Sequence, residues 1–429
     1  MMSSPLHVEI LQKRESLASK DYIKDIVHSY LANFITLNPG VTIKINELEE
    51  NNSIKDHVQS ITLCDDEHDS EVAITECEFV YHVYQFDIFG VETDTMTDAA
   101  SGEEISAADI WALPTEEFHG LWESLIYDSK LKEETLRFVE TAFEFADRRV
   151  DPNIISWNRV VLLHGPPGTG KTSFCRALAQ KLAVRLGHKF PRVRLLEINA
   201  HGLFSKWFSE SGKLVAKLFE HIREIVEDHS LLACVLVDEV ESLAHARRSA
   251  LAGLEPSDSI RAVNAILTQL DRLKRHPNAL VLTTSNVTGA IDLAFVDRAD
   301  IKRRIGPPSE RAAYEILRGC CDEMMARDVV TPREQLFALR ILEAVRFADT
   351  EGSRASLRLW AVAREAAAAQ ISGRAMRRLP FLARALHTRG KPSLAQFIDA
   401  LQTALQQQLS DARELKDDSQ LPNCTKCDH

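Results

Sequence analysis

Residues 160–172 read Val-Val-Leu-Leu-His-Gly-Pro-Pro-Gly-Thr-Gly-Lys-Thr, and this stretch decides the fold. Its first four residues predict a short buried strand, and residues 165–172 match the pattern Gly-x-x-x-x-Gly-Lys-[Ser/Thr]. An amphipathic helix is predicted for residues 173–186. A strand, such a loop and a helix in this order indicate a phosphate-binding loop. The glycines let successive N–H groups turn toward phosphate oxygens, and the helix N-terminus adds partial positive charge.

The side chains of this loop predict a site for ATP and Mg²⁺. Lys171 supplies a full positive charge, and the Thr172 hydroxyl can ligate Mg²⁺. By chance alone, the eight-residue pattern would arise roughly once in several tens of chains of this length. The predicted nucleotide-binding residues are Gly165, Pro166, Pro167, Gly168, Thr169, Gly170, Lys171, Thr172, Ser173 and Asp238.

Composition argues against several classes of protein. The chain has 429 residues, enough for two or three domains, and 63 acidic against 51 basic residues give a net charge of −12. This balance argues against a broad nucleic-acid-binding surface. The apolar runs are too short for a membrane span, and the first 30 residues lack the apolar core of a signal peptide. Eight mostly isolated cysteines are typical of reduced thiols, so we expect nuclear or cytosolic residence.

The regions around the loop predict distinct domains. Residues 1–86 mix strand and helix patterns without a catalytic constellation, which favours a small α+β binding domain; a purely structural role is the alternative. Residues 87–109 are acidic with few large apolar side chains, and we expect a flexible acidic linker there. Residues 110–308 are predicted to form an α/β domain, because apolar strands alternate with helices from residue 160 onward, which indicates a parallel sheet covered on both faces. Residues 309–409 are helical in pattern and predict an all-α domain.

The C-terminal residues 410–429 form a polar tail in this interpretation. Cys424 and Cys427, followed by His429, have the spacing of half a zinc site. One such pair without a second pair favours a disordered tail instead.

Two strands of the predicted sheet end in residues that suit ATP hydrolysis. Residues 234–239 read Cys-Val-Leu-Val-Asp-Glu. At the end of this strand Asp238 can hold the Mg²⁺ shell, and Glu239 can activate the attacking water as a general base. Residues 281–286 read Val-Leu-Thr-Thr-Ser-Asn, and Asn286 could orient that water. An ordinary turn or cap residue is the alternative for Asn286.

Several arginines are candidates for contacts with the nucleotide. Arg298 follows the asparagine strand and could reach the nucleotide of a neighbouring subunit as an arginine finger; Arg303 and Arg304 are its rivals. Arg374 lies in Ile-Ser-Gly-Arg at a predicted helix start and could contact the γ-phosphate. A solvated surface charge is the alternative for each of them.

A polar loop with two large aromatic residues is unusual outside a core. Residues 205–209 read Ser-Lys-Trp-Phe-Ser. We interpret them as an axial pore loop in which Trp207 and Phe208, beside Lys206, grip a polypeptide; a buried anchor for the next helix is the alternative. A second pore-loop candidate is residues 247–259, rich in small residues.

Together these motifs resemble the AAA+ ATPase module. Several stretches are similar to the pachytene checkpoint protein 2 family, also called the thyroid receptor-interacting protein 13 family. They are Phe-Ser-Lys-Trp-Phe-Ser-Glu-Ser-Gly-Lys (204–213), Val-Asp-Glu-Val-Glu-Ser-Leu (237–243), Gly-Leu-Glu-Pro-Ser-Asp (253–258), Phe-Val-Asp-Arg-Ala-Asp-Ile-Lys (295–302) and Leu-Pro-Phe-Leu-Ala (379–383). The likeness is close over about residues 105–400 and looser before them; the basic run Lys302-Arg303-Arg304 departs from it.

The resemblance implies a homohexameric ATPase that remodels HORMA-domain proteins from a closed to an open form. It implies that the helical domain is an AAA+ lid, and that the N-terminal domain docks the substrate and a HORMA-fold adaptor. It further implies action in the spindle assembly checkpoint and on meiotic chromosome axes, in the nucleus, on chromosomes and in the cytoplasm, without direct nucleic-acid binding or membrane attachment.

Two other functions are compatible with the same module. One is a nucleic-acid-dependent motor or clamp loader, against which the net charge and the aromatic pore loop argue. The other is a nucleotide-gated scaffold without turnover, which would have no use for Glu239 and Asn286.

Overall fold

The computed structural model describes residues 5–44, 52–64, 72–74, 77–97, 104–199, 211–242, 258–286 and 293–420. Two compact units divide the chain. The first comprises Met1–Leu125, Lys130–His164 and Lys171–Arg304, and the second comprises Ile126–Ser129, Gly165–Gly170 and Ile305–His429. Within the described residues, no helix has both the length and the apolar character needed to cross a membrane.

The N-terminal part of the first unit is a small α+β domain. Its elements are β1 Pro5–Gln12, α1 Lys20–Leu31, β2 Thr36–Leu37, β3 Thr42–Lys44, α2 Asn52–His57, β4 Val58–Cys64, β5 Val72–Ala73 and β6 Glu78–Tyr84. Four strands form a sheet in the order β3-β4-β1-β6, with β1 central. Ser19 caps α1 by accepting the Tyr22 N–H, and α1 buries Ile23 and Val27 in the same core as Val8 of β1.

The ATPase part of the first unit is an α/β structure. Its elements are β7 Val91–Thr97, β8 Glu104–Leu113, α3 Leu121–Ser124, α4 Leu131–Asp147, β9 Val160–His164, α5 Lys171–Arg185, β10 Arg192–Asn199, α6 Ser211–Glu227, β11 Leu231–Asp238, α7 Asp258–Leu273, β12 Ala279–Ser285, α8 Leu293–Arg298 and β13 Ile301–Arg304. The sheet has the order β13-β9-β12-β11-β10-β8-β7. Strands β13, β9, β12, β11 and β10 are mutually parallel, which confirms the predicted parallel sheet.

The expectation of a flexible acidic linker over residues 87–109 was wrong. Strands β7 and β8 pair there as an antiparallel hairpin, and β8 also pairs antiparallel with β10. The reason is that β8 carries apolar residues at the end that meets β10, where Ile110 and Leu113 are buried. Acidic residues fit the outer strand β7, because an edge strand that carries charge resists pairing with other chains.

Helix α5, which follows the phosphate loop, is buried on nearly all sides. Its pattern predicts an amphipathic helix, yet Gln180, Lys181 and Arg185 on its polar positions are also buried. For Lys181 and Arg185 the N-terminal domain explains the difference: Lys181 Nζ lies 2.7 Å from Glu9 Oε2, and Arg185 Nε lies 3.4 Å from Glu9 Oε1. Gln180 bonds both backbone groups of Thr115, with distances of 2.9 and 2.8 Å. The N-terminal domain therefore packs directly against the phosphate-loop helix.

The second unit is dominated by helices, as predicted. Its helices are α9 Glu310–Ala326, α10 Leu339–Ala344, α11 Arg354–Ala368, α12 Gly373–His387 and α13 Leu394–Gln420. They enclose one apolar core that includes Tyr314, Leu359, Met376 and Phe397. The predicted polar tail is helical as far as Gln420, because α13 continues to that residue, and Cys424 and Cys427 lie outside the described residues.

Candidate nucleotide site

The phosphate loop needs its glycines where other chain segments approach closely. Gly165 has φ +144°, and a Cβ there would meet the Ile305 carbonyl oxygen at 2.0 Å. Gly168 has φ +76°, and a Cβ there would lie 2.8 Å from Ser372 Oγ. The Thr169 hydroxyl donates to the Pro166 carbonyl at 2.9 Å and closes the loop on itself. Side chains at either glycine would displace the loop backbone that is predicted to bind phosphate.

The structure brings together the two residues predicted to hold Mg²⁺. Thr172 Oγ1 lies 3.1 Å from Asp238 Oδ1 and 3.2 Å from Oδ2. The Thr284 hydroxyl also donates to Asp238 Oδ1. Hydroxyl and carboxylate oxygens are the ligands that Mg²⁺ takes from proteins, which supply one or two carboxylates while phosphates and water complete the shell. The residues present therefore fit a magnesium ion bound together with a nucleotide.

Glu239 and Asn286, predicted as general base and water-orienting residue, are neighbours at the ends of β11 and β12. Asn286 Nδ2 donates to Glu239 Oε1 at 3.4 Å, and both residues are half-buried. Glu239 has φ +60°, a left-handed conformation that is rare for residues other than glycine. Its backbone N–H donates to Thr284 Oγ1 at 3.2 Å. Such a backbone persists only where its surroundings fix it, and it is a recurrent property of functional sites.

Arg374 lies at the start of α12, within the second unit. Ser372 caps this helix by accepting the Ala375 N–H, and the Arg374 backbone N–H donates to the Gly168 carbonyl at 3.0 Å. Arg374 is exposed. The helix start is thus bonded to the phosphate loop through the backbone.

The arginines near β13 occupy three different settings. Arg298 forms a two-pronged ion pair with Asp271, at 2.9 and 2.7 Å, and lowers the pKa of that carboxyl by hydrogen bonding. Arg303 pairs with Glu134 at 3.0 Å on the surface. Arg304 is exposed and pairs with His164 in the ladder between β13 and β9. The pKa of His164 is lowered mainly by burial and secondly by the charge of Arg304. The structure therefore holds Arg298 in a pair within its own chain.

Two contributors were missed by sequence reasoning. Thr284 bonds Asp238, and Glu241 accepts the Asn286 backbone N–H at 3.1 Å. The only sequence signal for Thr284 is its place between Thr283 and Ser285, at the polar end of a strand that begins with apolar residues.

Both pore-loop predictions fall largely on residues that the structure does not describe. Lys206, Trp207 and Phe208 lie outside the described residues, as does most of 247–259. Their roles stay predictions.

Family models and relatives match nearly the whole chain. The model "TRIP13 N-terminal domain" matches residues 1–87, "ATPase family associated with various cellular activities (AAA)" matches 161–307, and "TRIP13-like, AAA+ ATPase lid C-terminal domain" matches 309–409. The proteins named "Pachytene checkpoint protein 2 homolog" of Rattus norvegicus and Homo sapiens are each 45% identical over 96% of this chain and 95% of theirs.

A solved structure agrees with these relatives. "Structure of C. elegans PCH-2" is similar with a TM-score of 0.76 and 32% identity, covering 95% of this chain and 100% of that one. The match to an AAA domain implies nucleotide binding. With the predicted motifs at the ends of adjacent strands and with relatives that align over at least 95% of their length, the chain belongs to the pachytene checkpoint protein 2 family of AAA+ proteins and is an ATPase.

Proposed function

We propose that this ATPase couples ATP hydrolysis to the remodelling of HORMA-domain proteins from a closed to an open form. The observation that carries the hydrolytic half is the cluster of Thr172, Asp238, Glu239 and Asn286 at the ends of adjacent elements. Membership of the pachytene checkpoint protein 2 family supports the HORMA half.

In the proposed reaction, Lys171 and the loop backbone hold the phosphates of ATP. Thr172 and Asp238 would hold Mg²⁺, which neutralises charge on the phosphate oxygens. Glu239 accepts the proton of the attacking water, while the Asn286 amide restricts where that water lies. Asn286 donates to Glu239 Oε1, and among the described residues no hydrogen bond reaches Oε2 of that carboxylate, so Oε2 would accept the proton of the water.

The arginines complete the site in a homohexamer. Arg298 would stabilise the transition state on the neighbouring subunit, and this requires that its pair with Asp271 open or turn toward the interface. Arg374, exposed next to a helix start that is bonded to Gly168, would contact the γ-phosphate and tie the lid to the state of the nucleotide.

The work on the substrate is assigned to other parts of the chain. Lys206, Trp207 and Phe208 would grip an unfolded segment in the central pore, since aromatic rings give large contact area at little entropic cost. The N-terminal domain would dock the HORMA substrate and a HORMA-fold adaptor. We place this activity in the spindle assembly checkpoint and on meiotic chromosome axes, in nucleus and cytoplasm, without direct nucleic-acid binding.

Trp207→Ala tests the remodelling step. If Trp207 grips substrate, the variant assembles, binds ATP and keeps basal turnover within a few-fold, but does not convert a closed HORMA protein to its open form. If Trp207 is a core anchor, the change costs about 3–5 kcal/mol and lowers the melting temperature. Thermal unfolding, ATPase rate and substrate conversion on one preparation separate these results, and full conversion would contradict the gripping role.

Stimulation of the parent ATPase by DNA would favour a nucleic-acid motor instead.

A further inference from the structure

Glu241 is a half-buried carboxylate two residues after the proposed general base. Its Oε1 accepts the backbone N–H of Asn286 at 3.1 Å. Asn286 lies one residue beyond the end of β12, where the ladder to β9 has ended with Ser285. A backbone N–H that leaves a sheet needs another acceptor, and here a side-chain carboxylate provides it.

Among the described residues, this bond is one of several that join the turn after β11 to the end of β12. The Val240 N–H donates to the Thr284 carbonyl at 3.0 Å, and the Glu239 N–H donates to Thr284 Oγ1 at 3.2 Å. The Asn286–Glu241 bond lies beyond them along β12. Glu239, with its left-handed backbone, is therefore enclosed by contacts that fix both the turn and the strand end.

We propose that Glu241 is a positioning residue for ATP hydrolysis. By accepting the Asn286 N–H it fixes the backbone that carries the Asn286 amide, and so sets the 3.4 Å contact between that amide and Glu239 Oε1. The inference rests on the roles proposed above for Glu239 and Asn286. It predicts that the orientation of the attacking water depends on a residue that does not touch it.

The two oxygens of Glu241 argue against a direct role as the base. Oε1 is occupied by the Asn286 N–H, and Oε2 is buried without a hydrogen-bond partner among the described residues. Neither oxygen is thus presented to water. The function requires an acceptor at Oε1 and not a negative charge, so a glutamine, whose amide oxygen can accept the same bond, is expected to replace it.

The experiment compares Glu241→Ala with Glu241→Gln, and uses Ser242→Ala, the next residue along the chain, as a matched control. For Glu241→Ala we expect kcat to fall by about one to two orders of magnitude because the water is misplaced. The KM for ATP should stay within about twofold of the parent, since ground-state binding is unchanged. Affinity for ADP with aluminium fluoride, a transition-state analogue, should fall with kcat, while affinity for ADP alone stays constant. Glu241→Gln and Ser242→Ala should behave like the parent.

Several outcomes would overturn the proposal. Parent-like kcat in Glu241→Ala would show that the bond positions nothing that matters, and loss of kcat in Glu241→Gln equal to that in Glu241→Ala would show that the charge is what counts. If Glu241→Ala does not fold, as judged by thermal unfolding, Glu241→Gln alone decides: parent-like kcat supports the acceptor role and lost kcat contradicts it. Glu239→Gln, measured beside them, separates failure of the proposed nucleotide site from failure of the positioning role of Glu241. Normal turnover in Glu239→Gln would remove the site assignment itself, whereas an inactive Glu239→Gln with an active Glu241→Ala removes only the positioning role.

Discussion

Two groups of carboxylates lie in the first unit, and their partners differ in kind. Glu9, in the N-terminal domain, is buried between the cations Lys181 and Arg185. The side-chain hydrogen bonds described for Asp238 and Glu239, at the end of β11, come from threonine hydroxyls and the Asn286 amide. Neutral hydrogen-bond donors orient a carboxylate without forming an ion pair with it, and such carboxylates are the ligands that Mg²⁺ takes from proteins. Glu9, which is neutralised by cations of its own chain, stabilises the packing of the N-terminal domain instead.

The pKa directions agree with this contrast. Burial alone would raise the pKa of Glu9, but Lys181 and Arg185 lower it overall. Burial alone would lower the pKa of Lys181, but Glu9 raises it overall. Each group thus holds its partner in the charged form, and the interface between the N-terminal domain and α5 is an ion pair enclosed by protein.

Substitution of Arg298 should have the largest effect. It tests whether an arginine that is ion-paired within its own chain also stabilises the transition state on a neighbouring subunit. Arg298→Ala is expected to lower turnover by about 10³-fold or more, as loss of an arginine finger does, with nucleotide affinity nearly unchanged. ATPase rates and nucleotide titration check both parts.

Mixed rings and one control variant identify the arginine. An Arg298→Ala subunit keeps its own base and can receive the arginine of a Glu239→Gln neighbour, so mixing the two variants should restore some turnover. Arg303→Ala, which removes only a surface pair with Glu134, should leave the rate near that of the parent. No recovery in confirmed mixed rings, or an equal loss in Arg303→Ala, would show that Arg298 is the wrong arginine.

Glu239→Gln removes one negative charge from the strand-end group, Asp238 and Glu239, while it keeps the shape of the side chain. We expect turnover to fall by about 10²–10⁴-fold, because the amide cannot accept the proton of water, while ATP stays bound. Single-turnover hydrolysis and nucleotide retention measure the two effects. Glu224→Gln, at an exposed position of α6, is the matched control and should be silent. Near-parent turnover in Glu239→Gln would exclude it as the base.

Glu9→Ala removes the buried carboxylate that Lys181 and Arg185 share, and leaves Glu123 beside Lys181 and Glu140 beside Arg185, both more exposed to water. The expected loss of stability is about 3–5 kcal/mol, because removing one partner of a buried pair strands the other charge. Denaturant and thermal unfolding report it, with the exposed Glu15→Ala as control. Limited proteolysis should also release the N-terminal domain more readily. A loss no larger than that of Glu15→Ala would mean that water or another residue compensates the cations.

The smallest effect is the pH dependence of the same pair. Because the pKa of Glu9 is lowered in the folded protein, its ionisation stabilises the fold above the unfolded pKa, about 4.3. That contribution is lost as the pH falls through the folded value. The stability difference between the parent and Glu9→Gln should therefore be constant from neutral pH to about pH 5 and shrink below it. An equal difference at pH 7 and pH 3.5 would contradict the assigned ionisation.

Local patterns predicted the strand-end group well, and long-range pairing explains what they missed. Asp238 and Glu239 come at the end of an apolar run, and Asn286 comes directly after a strand that begins with one, so their place at the carboxyl edge of a parallel sheet is implied by the strands themselves. No local pattern joins Glu9 to Lys181, because their contact depends on how two domains pack. The amphipathic pattern of α5 predicts that its polar positions face solvent, and their burial has the same long-range cause.

The hairpin of β7 and β8 shows a second limit. Its acidic composition indicated a linker, but strand pairing with β10, which lies far along the chain, outweighs composition. Glu241 illustrates the finest limit: its acceptor role depends on one bond to a backbone N–H, which residue type does not reveal.

The basic run at β13 has a consequence for solubility. Among the described residues this strand is an edge strand of the large sheet, and its residues Lys302, Arg303 and Arg304 are exposed. The exposed backbone of an edge strand can pair with a strand of another polypeptide, and cationic side chains on the edge strand commonly prevent this pairing. This run thus places like charges along an edge that would otherwise invite aggregation while the chain is still unassembled.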